Sequence, residues 1–457
     1  MSDWVPKTEA ETDFHKWLAR LADRVKQGDF MRRMGTVQEL IGLTIVSNGP
    51  PTQVGESCCI RPAGNRPVMA AQVVGFRNRQ VLLMPLGDTQ GIQPGCQVIA
   101  TGRQLSVPVG PSLLGRVVDG FGRPLDGRGP LTAAVQRPLH AAAPRPMDRA
   151  RFDEPMPVGI RTIDTLLTCA RGQRMGIFAG SGVGKSVLLG MIARNSSADV
   201  NVIALVGERG REVLDFVEGK LQDALDRSVV VVATADEPGL MRLHAGLAAT
   251  VIAEEFRDRG AHVMLMMDSL TRLARAQREV GLAAGELPVN RGYPPSVFAT
   301  IPALVERAGP SPAGTITGIY TVLVEGDDML EPVADIARAT LDGHIVLSRA
   351  LAERGLYPAI DVNASLSRAM TQVVDRKHLQ LAQNTRRLLR TYDDIADLVA
   401  VGAYEAGSDP WADAAVAVMP RLREFLSQDR TETSSFEQSI TRLQQIVDVA
   451  DNVLKRR

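Results

Sequence analysis

Net charge is the first thing this chain lacks. Fifty-two lysines and arginines face 52 aspartates and glutamates, so the formal charge is zero. A domain built to embrace nucleic acid normally carries a basic excess, and the balance argues against that class while leaving room for a local patch. Aromatic residues make up only 4%, too few to furnish a row of base-stacking platforms along a single strand. Cysteine is scarce as well: the adjacent Cys58 and Cys59, then the isolated Cys96 and Cys169. Adjacent cysteines rarely pair with each other, and no C-x-x-C or nearby histidine gives the spacing of a zinc site. These four read as small buried hydrophobes in a reducing compartment. No apolar run approaches the roughly 18 residues that a membrane span needs. The N-terminus, charged from Asp3, has no signal-peptide core. The expectation is a cytoplasmic chain of about three domains that binds no nucleic acid.

What is present begins with "AGSGVGKS" at 179 to 186, between the apolar run Met175-Gly176-Ile177-Phe178 and the helical "VLLGMIARN". A glycine-rich turn between strand and helix frees successive N–H groups, and the helix N-terminus, to point at one anion. Lys185 adds a charge aimed at the β- and γ-phosphates, and Ser186 offers a hydroxyl to magnesium. Ala179 stands where G-x-x-x-x-G-K-[ST] has its first glycine. The nucleotide-binding stretch is therefore Ala179, Gly180, Ser181, Gly182, Val183, Gly184, Lys185, Ser186 and Val187.

Around it the texture changes in blocks. Residues 1 to 30 read as an amphipathic helix, with Phe14, Trp17, Leu18, Leu21 and Val25 on one face and Lys16, Arg20 and Arg24 beside it. Such a helix packs on its own domain, or docks on a partner helix or an anionic membrane surface. From 31 to 101, "GTVQELIGLTIVS", "QVVGFRNRQVLLMPLG" and "GIQPGCQVIATG" have the strand spacing of a small β-barrel or sandwich. The passage "GPSLLGRVVDGFGRPLDGRGPL" reads as turns, and the proline-rich stretch after it as an extended connector. From about 158 to 375, "VNVIALVGE", "SVVVVATAD", "AHVMLMMDS", "ITGIYTVLVEG" and "HIVLSR" lack polar alternation, as strands covered on both faces do. They predict a largely parallel α/β sheet, with a crossover helix over 241–259 closed by Gly260. Residues 376 to 457 are helical, the last helix opening at a Ser434-x-x-Glu437 capping box.

Hydrolysing a nucleotide asks for more than gripping it: an aimed water, a metal, and positive charge at the transition state. Asp268 ends the apolar "MLMMDS", the place for a carboxylate that holds magnesium through water; the bland alternative is a cap for the helix "LTRLARAQRE". "VIALVG" delivers Glu208, Arg209 and Glu212 to the carboxyl edge of the sheet, where ligands of open α/β sheets sit. Glu208 is the candidate to polarise the attacking water. Arg209, Glu212 and Arg272 are candidate supports.

Taken together, "AGSGVGKSVLLGMIAR", "GERGREV", "MMDSLTRLARAQREV", "GELPVNRGYPPSVFATIPALVERAG", "EPVADIARATLDGHIVLSR" and "YPAID" resemble the F1-like ATPases of type III protein export over nearly the whole chain. "LLRTYDDIADLVAVGAYEAGSDPWADAAV", with Ala403 and the "GSD" of 407–409, resembles the flagellar branch more than the virulence injectisome. The resemblance implies a multi-domain α/β fold: an N-terminal β-barrel, a RecA-like P-loop ATPase core over 102–375, and a C-terminal helical domain. It implies ATP and Mg2+ as cofactors and a homohexamer whose subunits lend Arg368 to a neighbour's γ-phosphate. Tyr357 matches the aromatic that stacks near adenine, and Asn363 replaces a usual leucine.

The implied partners are a stator or regulatory protein at the N-terminal helix, a central stalk coiled-coil protein, export chaperones with their substrates, and the membrane export gate. The implied place is the cytoplasmic side of the inner membrane at the flagellar base. The competing readings are an injectisome ATPase, a noncatalytic ring subunit and an RNA-translocating hexameric helicase.

Overall fold

The computed structural model describes residues 33–455, apart from positions 65, 133, 325 and 327. The amphipathic helix expected over 1–30 lies outside the described residues. By internal contacts the chain divides into two compact units, Met1–Arg103 and Gln104–Arg457.

The first unit is a closed six-stranded barrel. Its order is Met34–Ile41, Thr44–Asn48, Gln80–Pro85, Met69–Arg77, Glu56–Arg61 and Gln97–Gln104, with the first strand pairing back onto the last. Closure leaves no free sheet edge. Alternate residues point inward, so Val37, Ile45, Cys58, Ile60, Val73, Leu83, Cys96 and Val98 form its core. Two of the four cysteines are thus barrel core, as expected for small hydrophobes. Burial pushes the Cys58 thiol up to about 12, far from a reactive thiolate.

The second unit is built on a nine-stranded sheet. Its path runs Ile360–Ser367, Gly343–Leu347, Arg174–Ala179, Thr315–Leu323, His262–Asp268, Val200–Glu208, Ser228–Thr234 and Arg116–Asp119, with Gly309–Pro310 beside the fourth strand. All pairings are parallel except those of Gly309–Pro310 and Ile360–Ser367. The apolar runs read as doubly covered strands are doubly covered: every residue of Val200–Glu208 and His262–Asp268 is buried. The crossover helix spans Gly239–Asp258, and Gly260 follows it at φ +93°, a left-handed value glycine takes without strain.

Two expectations fail here. "GRVVDGFG", read as turns, supplies Arg116–Asp119, the edge strand parallel to Ser228–Thr234. Four residues beside so many glycines are too short to show a periodicity; a partner over a hundred residues away makes them a strand. The last helix, Phe436–Lys455, is capped one residue later than expected. The Ser435 hydroxyl accepts from Gln438 N–H at 3.2 Å and the Gln438 side-chain oxygen accepts from Ser435 N–H at 3.4 Å, while Ser434 turns to Ser439. Ser434-x-x-Glu437 and Ser435-x-x-Gln438 are equally good capping boxes by composition. Packing of Ile440, Leu443 and Val447 selects the register.

The helices Arg376–Ala400, Pro410–Leu426 and Phe436–Lys455 bury a shared core of Leu381, Leu388, Val418, Leu422, Phe425, Leu443 and Val447. Leu166 and Val362 of the sheet region belong to the same core. Buried Arg161 reinforces that junction: its guanidinium donates to Phe425 O at 2.9 Å and to Ser427 O, and pairs with Glu432. Among the described residues no helix is long and apolar enough to cross a membrane.

Candidate active site

The phosphate loop leaves the strand Arg174–Ala179 and enters the helix Lys185–Asn195. Gly184 caps that helix at φ +93°, so a side chain there would strain the turn that aims the first N–H groups outward. The loop lines a cavity of about 430 Å³. Gly180, Ser181, Gly182, Lys185, Ser186 and Val187 form one wall, and Glu208, Arg209, Glu212, Asp268 and Arg272 the other. Ala179 ends the strand, buried beneath the loop. Val183 turns away into the apolar core under the helix.

Sheet order explains the convergence. Two strands lie between the phosphate-loop strand and Val200–Glu208, so carboxylates on adjacent strand ends reach across to Lys185. Its ammonium is paired with Asp268 and lies 3.7 Å from Glu208 Oε1. All three groups are buried, where opposite charges lower one another's desolvation cost. Asp268 also accepts from the Thr321 hydroxyl at 2.7 Å. It does not cap the following helix; that is the work of Ser269, whose hydroxyl accepts from Arg272 N–H.

Glu208 is held differently. The register between its strand and Ser228–Thr234 slips between Val206 and Glu208, a bulge that re-aims the last side chain. Gly207, at φ +70°, lets the Arg272 stem pack where a β-carbon would sit 3.0 Å from it, and Arg272 then pairs with Glu208. Glu212 lies against Glu208; that contact, with Arg209, Arg272 and Lys185 nearby, holds the Glu212 carboxyl below the usual range. Arg209 is largely exposed and reaches Glu212 at 3.9 Å.

A second cavity, about 400 Å³ and mostly apolar, abuts the far side of the loop. Val187, Leu188, Met191, Leu347 and Pro358 line it, with Tyr357 half exposed at its mouth. A triphosphate in the first cavity with its base in the second suits the paired chemistry, polar then apolar. Arg368 is in neither. It is exposed, donating to Leu341 O at 3.3 Å and Arg338 O at 3.5 Å. Asn363 hydrogen-bonds Asp393 of the helix Arg376–Ala400 and lowers that carboxyl, although burial and Asp361 raise it overall. Its polar substitution therefore acts at a helix contact, away from the two cavities.

Sequence reasoning missed Thr321, whose hydroxyl inside an apolar strand was the available signal. It also missed Phe216 and Lys220, set on the cavity wall by a π-helical stretch, Asp215–Leu221. Gln428, Asp429 and Arg430 on the apolar cavity carried no local signal at all.

The sequence patterns of known families agree with this anatomy. Residues 37–102 match the ATP synthase alpha/beta family, beta-barrel domain; 159–367 match its nucleotide-binding domain; and 374–445 match the T3SS EscN ATPase C-terminal domain. The chain is 52% identical to the flagellum-specific ATP synthase of Bacillus subtilis, covering 93% of this chain and 97% of that one. It is 49% identical to the type 3 secretion system ATPase of Xanthomonas euvesicatoria, covering 96% and 98%. The structure of the assembled ATPase EscN in complex with its central stalk EscO, from enteropathogenic E. coli, superposes with a TM-score of 0.84. That match is 44% identical and covers 90% of this chain and all of that one. With a barrel, a phosphate-loop sheet and a helical end in the same order, the chain belongs to the ATP synthase alpha/beta family, among its flagellum-specific and type III secretion ATPases.

Proposed function

We propose that this protein hydrolyses ATP to energise type III export of flagellar axial proteins, including substrate unfolding and chaperone release. The observation that carries the catalytic part is the meeting of Lys185, Glu208 and Asp268 at one cavity. Lys185 exchanges its pairing with Asp268 for the β- and γ-phosphates of the incoming nucleotide. Glu208, held by Arg272, polarises the water that attacks the γ-phosphorus, while Arg209 and Glu212 support it. The Ser186 hydroxyl and the Asp268 carboxylate are hard oxygen donors on facing walls, the set that suits magnesium among phosphates. When bound, that ion neutralises charge developing on the phosphate oxygens. Glu208 on the wall favours hydrolysis over a noncatalytic ring subunit. Phosphate release from purified protein tests the chemistry; no turnover above background would end it.

The ring rests on two supports. Arg368 is outside its own subunit's cavity, and the related EscN is an assembled ATPase in complex with its central stalk. We read this chain as a homohexamer in which Arg368 serves the neighbouring site, with a stalk protein in its centre. The same reading keeps the chain's divisions near 101 and 375. It also places a stator protein or anionic membrane surface at the N-terminal helix, and the assembly beside the export gate at the inner membrane. Deleting residues 1–28 should abolish stator binding and spare nucleotide binding; undiminished stator affinity would discredit that assignment.

Identity to the Xanthomonas secretion ATPase favours a second reading, service to an injectisome. Gene loss separates the two. Missing filaments support the flagellar branch, and missing effector secretion with intact filaments supports the other.

A further inference from the structure

Tyr357 is poorly secured by its own surroundings. The residue is 46% exposed, and its ring stands against the phosphate loop, where a β-carbon on Gly184 would lie 3.5 Å from it. An exposed ring offers a base a ready platform only if its backbone is fixed beforehand, since any freedom lost during binding is taken from the affinity.

The fixing comes from the segment that follows the helix Pro410–Leu426. Gln428 N–H donates to Tyr357 O at 2.8 Å. The Gln428 side chain is buried and spends its amide fully. Its oxygen accepts from Arg161 N–H at 2.9 Å, and its nitrogen donates to Gly159 O at 2.8 Å and to Glu432 O at 3.1 Å. Arg161 clasps the end of that helix at Phe425 and the segment itself at Ser427 and Glu432, and Arg194, from the phosphate-loop helix, donates to Arg430 O. Gln428, Asp429 and Arg430 meanwhile form the cavity wall beside Tyr357.

We infer that Gln428 is the positioning residue of the base platform, so that recognition of the base depends on the helical region and not on the phosphate-loop fold alone. The inference rests on the reading of this apolar cavity as the base site. A buried amide with three satisfied bonds is a rigid peg, and removing it leaves Arg161 N–H and Gly159 O without partners. The segment after the helix Pro410–Leu426 would then slacken and release Tyr357 O. The phosphate cavity, on the other side of the loop, shares no hydrogen bond with this peg.

The test compares ADP with inorganic pyrophosphate, both with magnesium, by calorimetry on the full-length chain. Their affinity ratio isolates what the base and ribose contribute. Gln428→Ala should lower the ratio about 10-fold, through ADP alone, with pyrophosphate affinity within about twofold of the parent; this corresponds to about 1.4 kcal/mol. Gln428→Asn keeps an amide on a stem one methylene shorter and should fall between the alanine variant and the parent. If the alanine variant does not fold, the asparagine variant decides, and a drop smaller than about threefold counts against the role. Tyr357→Ala separates the two levels of the argument. A ratio that collapses in Tyr357→Ala but survives both Gln428 changes overturns the positioning role; a ratio unmoved by Tyr357→Ala overturns the base site itself.

Discussion

Glu208→Gln tests the chemistry most directly, because it changes charge and proton affinity while keeping shape. In the parent, Glu208 is buried, paired with Arg272 and 3.7 Å from the Lys185 ammonium. An amide can still accept a hydrogen bond from Arg272 but cannot draw a proton from water. Loss of a positioned base typically costs about 10² to 10⁴ in rate, so kcat should fall by that factor. Nucleotide binding should move the other way. With one carboxylate neutralised, Lys185 and Arg272 present more net positive charge to a triphosphate, so the ATP Kd should stay the same or tighten. Stability should change little, by about 1 kcal/mol, since the Arg272 end of the pair is partly open to solvent. The assay is phosphate release at saturating ATP beside equilibrium binding of an unhydrolysed analogue. A variant that keeps more than about a tenth of parental turnover would remove Glu208 from the base role. One that loses turnover only because binding collapsed would show that the carboxylate holds the loop together instead.

Arg368→Ala should leave nucleotide affinity intact and cut turnover of the assembled ring by about 10³ or more, the scale of a transferred arginine. Turnover per subunit of the parent should climb with protein concentration, and a flat line would refute activation between subunits. A third expectation concerns acid. Burial pushes His244 down to about 3, while an unfolded histidine titrates at about 6.5. The unfolded chain therefore binds the extra proton between those values, and stability should fall as pH drops from about 7 toward 3. By about pH 5 this one group should account for about 2 kcal/mol. His262, depressed to about 4, adds to the same slope. Denaturant melts of His244→Gln between about pH 5 and 7 should show a shallower slope, and an unchanged slope would acquit His244.

Much of this site was legible in one dimension because its parts are local. A phosphate loop needs glycines, a lysine and a hydroxyl within about eight positions, and the strand before it and helix after it are adjacent in sequence. Doubly covered strands betray themselves as apolar runs, so Glu208 and Asp268 could be placed at strand ends without coordinates. Distance in sequence hid the rest. Arg116–Asp119 is a strand only because Ser228–Thr234 lies beside it, and the register of the final cap was chosen by packing between two equal candidates.

The residue types along this chain already determined a nucleotide-gripping turn, a sheet covered on both faces, and two carboxylates at its working edge, since each follows from local backbone freedom or hydrophobic period. Only the tertiary structure decided that Lys185 rests on Asp268 and that Thr321 braces that carboxylate. It alone brought Gln428 to the Gly159 carbonyl, 269 residues away along the chain, and to the backbone of the tyrosine beside the phosphate loop. Contacts of that kind arise from how the helical end packs on the sheet, and no local pattern of residues records them.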